Sequence, residues 1–120
     1  MLATPEALGA AGAAVRWIES GSQYMSAEEK LGLQRLFPNA RIVQHYGMTE
    51  ASRTTFLVVS DETDLTRLES VGAAEDRVRV SEAGVIEIRG DHVGLGRLAQ
   101  GGAFTALTEP DGWLRSSDRG

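Results

Sequence analysis

The chain of 120 residues contains no cysteine. That excludes disulfides, a thiolate nucleophile and a zinc–sulfur centre. It fits a reducing compartment. A basic stripe is also missing. Residues 1–60 carry five basic and five acidic side chains, and residues 61–120 carry seven and twelve. The whole net charge of −5 therefore lies in the second half. Nucleic-acid binding needs the opposite balance, so no nucleic-acid partner is expected. The start, Met1-Leu2-Ala3-Thr4-Pro5-Glu6, holds neither a basic segment nor a long apolar run. No signal peptide or membrane span is expected, which makes a cytoplasmic location the default. Internal repeats and low-complexity tracts are absent. So is a Gly-x-Ser-x-Gly elbow, which leaves a Ser-His-Asp hydrolase without support.

What is present reads as an ordinary globular domain or part of one, with 42% hydrophobic and 24% charged residues. Thr4 to Ala14 reads as a helix, with Thr4 as N-cap, Pro5 at the first helical position and Glu6 complementing the dipole. Val15 to Glu19 reads as a strand that runs into the polar turn Ser20-Gly21-Ser22. Ser26 to Phe37 is the clearest helix. Ser26 and Glu29 have capping-box spacing, Leu33, Leu36 and Phe37 share a face, and Pro38-Asn39 ends it. Arg41 to Tyr46 is the second strand. Strand, helix and strand within about 30 residues form a βαβ unit with a parallel pair.

The pattern then changes. Thr54 to Val59 has strong β propensity. Ser60 to Ser70 reads as a loop or short helix. Arg77–Val80 and Val85–Arg89 flank Ser81-Glu82-Ala83-Gly84 as an antiparallel hairpin. Gly90 to Gly102 is glycine-rich and winding, Ala103 to Leu107 reads as one more strand, and Glu109 to Gly112 as a turn. Gly94-x-Gly96-x-x-Ala99 fits the loose dinucleotide fingerprint. That fingerprint needs a helix to begin within it, and Gly101-Gly102 forbids one of useful length. The expected fold class is α/β: a partial parallel βαβ layer over residues 1–60, followed by an antiparallel, barrel-like β portion. Two parallel strands are too few for a finished doubly wound sheet, so the chain reads as a piece of a larger α/β enzyme.

The stretch His45-Tyr46-Gly47-Met48-Thr49-Glu50 concentrates an aromatic ring, a glycine, a hydroxyl and a carboxylate at the end of a β-branched run. Carboxyl ends of strands are where open α/β sheets build ligand sites. Tyr46 offers a flat face for a purine, Gly47 permits close backbone approach, Thr49 can hydrogen-bond a phosphoryl oxygen, and Glu50 is a hard oxygen ligand.

Three ordered blocks carry a resemblance. They are Ser20-Gly21-Ser22, then Gln44-His45-Tyr46-Gly47-Met48-Thr49-Glu50, then Asp111-Gly112-Trp113-Leu114-Arg115-Ser116-Ser117-Asp118. With the strand Gly84-Val85-Ile86-Glu87-Ile88-Arg89-Gly90, they resemble the adenylate-forming (AMP-binding) enzymes: acyl-CoA synthetases, luciferases and the adenylation domains of peptide synthetases. Met48 is nearer the acyl-CoA synthetase branch. The resemblance covers roughly residues 16 to 120. It implies that residues 1–70 are the C-terminal part of the AMP-binding α/β subdomain. Residues 71–120 would be an antiparallel β subdomain ending at a ribose-binding turn, both within one larger domain.

The resemblance also implies roles. Ser20, Gly21 and Ser22 would line the adenine pocket, His45 would lie near the adenine edge, and Tyr46 would stack on the ring. Gly47 and Met48 would border the carboxylate pocket. Thr49 would contact the α-phosphate, Glu50 would bind Mg²⁺, and Asp118 would accept from both ribose hydroxyls. The implied cofactors are ATP and Mg²⁺. The implied partners are a carboxylic acid and the thiol of coenzyme A or a carrier protein. An incomplete sheet further predicts a second copy or a complementing segment.

Departures from the family pattern are specific. Ser116-Ser117 replaces Thr-Gly before Asp118, and Arg97 stands where tyrosine is common. The chain holds no Ser/Thr/Gly-rich phosphate loop ending in Lys-Gly and no carboxyl-terminal catalytic lysine domain. Adenylation depends on such positioning and charge neutralisation, so these 120 residues alone are expected to be inactive. The alternative is a non-catalytic nucleotide-binding or interaction module derived from this fold. Bland roles stand beside the sharp ones: Trp17 and Trp113 as packing residues and His92 as a surface histidine.

Overall fold

A computed structural model describes residues 8–120. Thr4, Pro5 and Glu6, the expected start of the first helix, lie outside the described residues. The described residues form two compact units, one of residues 8–46 and 55–73, the other of residues 47–54 and 74–120.

The first unit contains α1 (Gly9–Ala14), β1 (Trp17–Ser20), α2 (Ala27–Leu36) and most of β2 (Arg41–Met48). β1 and β2 pair in parallel, with Trp17 opposite Arg41 and Ser20 opposite Gln44. The expected βαβ unit is therefore present. α2 begins where its sequence says it should. The Ser26 side chain accepts from the Glu29 backbone N–H, and the Glu29 carboxylate accepts from the Ser26 backbone N–H. A cap of this kind contributes about 1 kcal/mol. β3 (Ala51–Val58) is the third strand of the sheet, in the order β1-β2-β3. It starts three residues earlier than β propensity alone suggests. Leu33 and Phe37 of the α2 face pack with Ala40, Ile42, Leu57, Val59 and Leu68. Burying each large aliphatic side chain of that set contributes roughly 1.5–3 kcal/mol.

A short helix α3 (Leu65–Leu68) resolves the loop-or-helix reading of residues 60–70. Asp64 caps its start, accepting from the Thr66 backbone N–H at 2.8 Å. Its far end is held by Lys30, the only lysine in the chain, which is fully buried. The Lys30 ammonium donates to the carbonyl oxygens of Leu68 and, at 2.8 Å, Ser70. These are end-of-helix carbonyls that would otherwise be orphaned. Glu69 fastens the same corner. It accepts from the Tyr24 hydroxyl at 2.6 Å and from the Ala27 backbone N–H at 3.1 Å.

The second unit is antiparallel. β4 (Val78–Val80) and β5 (Val85–Ile88) form the expected hairpin, with Val78 opposite Ile88. Its turn uses Gly84 at φ +74°, which glycine adopts without penalty. β8 (Leu114–Arg119) adds to β5, giving the order β4-β5-β8. β6 (Gly96–Leu98) and β7 (Phe104–Ala106) make a separate hairpin. The expectation of a barrel-like portion is corrected here. Strands β4 to β8 form a three-stranded and a two-stranded sheet, and among the described residues no barrel closes. The terminal residues expected as a turn are strand β8 instead, because their alternating partners on β5 supply the ladder. The loose dinucleotide fingerprint falls partly on β6, where no helix begins.

A polar network anchors this sheet. Glu87 on β5 is almost fully buried and lies 2.5 Å from Arg79 Nε and 3.0 Å from Arg115 Nε. Arg79 also reaches Asp111 at 3.3 Å. The guanidinium groups of Arg79 and Arg89 stand 4.0 and 4.7 Å from the centre of the buried Trp113 ring. Trp113 is thus a packing residue carrying cation–π contacts.

Candidate functional site

In the first unit the site residues gather at the carboxyl ends of the parallel pair. Ser20 ends β1, opposite Gln44 of β2. Gly21 and Ser22 therefore leave β1 beside His45 and Tyr46. The chain turns sharply there, with Ser22 in the left-handed region at φ +69°. Gly21 is required by crowding. A Cβ at that position would overlap the His45 imidazole. The ring of His45 lies 6.5 Å from that of Phe56 at a tilt of 58°. Its Nδ1 is 3.1 Å from Glu19 Oε1, within ion-pair distance but without hydrogen-bond geometry. Tyr46 is half-buried at the end of this row.

Gln44 adds a feature that the sequence did not single out as a contact. Its side chain is buried, and its Oε1 has no hydrogen-bond partner among the described residues. A buried unpaired acceptor costs about 1–3 kcal/mol and invites an N–H donor. Only its place in the block before Tyr46 could have pointed to it.

In the second unit Gly47, Met48, Thr49 and Glu50 form the end of β2 and a two-residue turn into β3. A Cβ at Gly47 would come 2.6 Å from the Arg53 backbone nitrogen, so the tight return of the chain requires glycine. Arg53 itself takes φ +53°. Thr49 is exposed, its hydroxyl carried on the turn. Glu50 is held twice. Its backbone carbonyl accepts from Gly94 N–H at 2.8 Å, and Ala51 bridges Val93 in antiparallel fashion. Its carboxylate pairs with the Arg97 guanidinium. Arg97 and the Glu50 backbone N–H hold that carboxyl below the ordinary carboxylate range. Nearby, Thr54 Oγ1 is 3.2 Å from His92 Nε2, so His92 is a packing partner rather than a free surface group. Asp118 sits exposed on β8, its backbone N–H donating to Ser116 Oγ at 3.1 Å.

A divalent cation fits Glu50 poorly. Arg97 already occupies one carboxylate oxygen, and a guanidinium there repels a second cation. Among the described residues no three His, Asp or Glu side chains converge on a metal position. Arg97 stands where tyrosine is common, but its pairing with Glu50 joins segments 47 residues apart and is set by the fold.

Known proteins give a consistent picture. A comparison with protein-family models gave no match. The chain is 29% identical over 122 residues to 4-coumarate–CoA ligase 1 of Glycine max, covering 88% of the chain and 41% of that protein. It is likewise 29% identical to 4-coumarate:CoA ligase 1 of Petunia hybrida, of which it spans 22%. Among solved structures, an E. coli MenE variant with bound OSB-AMS aligns with a TM-score of 0.69 at 20% identity, over 87% of this chain and 22% of that one. The luciferase-like enzyme of the mealworm Zophobas morio aligns at 0.64 and 20% identity, over 97% of this chain and 30% of that one. Over most of its length, then, the chain is similar in sequence to 4-coumarate–CoA ligases and in fold to these two structures.

Proposed function

We propose that the chain is part of an ATP-dependent acid–thiol ligase of the acyl-CoA synthetase type. In that reaction a carboxylate oxygen attacks the α-phosphorus of ATP. The products are acyl-AMP and pyrophosphate, and a thiolate then attacks the acyl carbonyl and releases AMP. The chain spans about two fifths or less of the curated relatives it matches, so the reaction belongs to a whole protein.

The observation that supports the reading best is the row Gly21, His45 and Tyr46 at the carboxyl ends of a parallel pair. Tyr46 would give adenine a face. Ser20, Gly21, Ser22 and His45 would border that base, and Gln44 Oε1 could accept from an exocyclic amine. In the second unit Thr49 would contact the α-phosphate, Gly47 and Met48 the acid, and Asp118 the ribose. No step is assigned to a metal on Glu50. ATP, the acid and a coenzyme A or carrier-protein thiol are the proposed reactants.

The reading is tested by thermal shift with an acyl-sulfamoyl-adenosine on the parent chain and on Tyr46→Ala and Asp118→Ala. Stabilisation of the parent with smaller shifts in both variants is expected. Equal shifts in all three would overturn the pocket. Arg97 on Glu50 favours one second reading, a nucleotide-binding module without catalysis. Pyrophosphate exchange by the whole protein separates the two, since only the ligase returns label to ATP.

A further inference from the structure

We propose that Arg97 is a tethered counter-ion that excludes divalent cations from Glu50. Four contacts in the second unit argue for it. The Arg97 guanidinium pairs with the Glu50 carboxylate. Gly94 N–H donates to the Glu50 carbonyl at 2.8 Å, Val93 bridges Ala51, and His92 Nε2 lies 3.2 Å from Thr54 Oγ1. The segment from His92 is thereby laid along residues 50–54 and delivers Arg97 to the carboxylate. β6, which carries Arg97, is fixed in turn by pairing with β7, Arg97 opposite Thr105.

Mg²⁺ and Mn²⁺ seek the same carboxylate oxygens. A guanidinium satisfies them with directional N–H donors and adds like-charge repulsion against an incoming ion. The Arg97 side chain is 70% exposed, so the pair can open, and the exclusion is a competition rather than a permanent block. A tyrosine at this position could donate one neutral hydrogen bond and would leave the carboxylate available to a metal. The single change at residue 97 therefore sets whether Glu50 is a metal ligand.

The test needs no nucleotide, so its failure is separate from failure of the ligase reading. Mn²⁺ is titrated into the isotope-labelled chain, and paramagnetic broadening is followed at the amides of Thr49, Glu50 and Ala51. Arg97→Ala is expected to broaden at roughly fivefold to tenfold lower Mn²⁺ than the parent. Arg97→Lys, which keeps the charge, should stay near the parent. Adding Glu50→Gln to Arg97→Ala should abolish the gain. Arg97→Gln, which keeps a donor, serves as the second neutral variant should alanine loosen the β6–β7 hairpin. Parent and neutral variants titrating alike, or broadening that survives Glu50→Gln, would overturn the proposal.

Discussion

The His45 imidazole fills the space that any side chain at Gly21 would need. Gly21→Ala is therefore an overpacking change, and about 1–3 kcal/mol of destabilisation is expected. His45→Ala in the same chain should restore most of that loss. Denaturant unfolding of the two single variants and the double variant measures the coupling. Additive losses would mean that the two residues do not share this space.

Lys30 is expected to be chemically silent in the folded chain. It is the only lysine, buried beneath α3, with its ammonium on the Leu68 and Ser70 carbonyls. An amine-reactive ester should label Lys30 only after denaturation, as read by peptide mass spectrometry. Lys30→Met should cost about 1–3 kcal/mol, because it leaves those carbonyls unpaired. The pH dependence has a definite sign. Burial is the main cause that lowers the Lys30 pKa, opposed by Glu69. Between the lowered value and the ordinary 10.5, the unfolded chain binds more protons than the folded one. This group's contribution thus rises with pH across that window, and the rise should vanish in Lys30→Met.

Glu87 gives an asymmetric expectation. Its carboxylate is buried, whereas Arg79 and Arg115 are about half exposed and can turn to water. Glu87→Gln should therefore be the milder change. Arg79→Ala with Arg115→Ala strands a buried charge, and a loss of about 3–5 kcal/mol is expected. Arg79→Ala alone should also alter Trp113 fluorescence, since its guanidinium stacks on that ring. Thermal and denaturant melts of the three variants rank them, and a larger loss in Glu87→Gln would contradict this account.

The local signals read well in advance. The Ser26–Glu29 capping box, the parallel strands around α2 and the β4–β5 hairpin each follow from spacing and turn chemistry within a few residues. The misreadings share a different cause. The resemblance implies a turn at Ser116, Ser117 and Asp118, and a partner strand some 30 residues away makes them part of β8 instead. The barrel expectation overextended a run of short strands, whose closure depends on pairings that alternation does not encode. At the candidate site, residue types and order were legible in His45 to Glu50. Glu19 beside His45 and Arg97 on Glu50 were not, because each contact joins segments distant in sequence.

The division of the chain has a consequence for how it is made. The two units exchange the chain at three places: between residues 46 and 47, 54 and 55, and 73 and 74. During synthesis residues 47–54 emerge well before Val93 and Arg97, their later companions. The Tyr-Gly-x-Thr-Glu turn must therefore wait for 47 further residues before its carboxylate meets a counter-charge, a delay of about 2–9 s at ordinary elongation rates. No single cut yields both units intact, so truncation mapping would report loss of folding where it sought loss of binding.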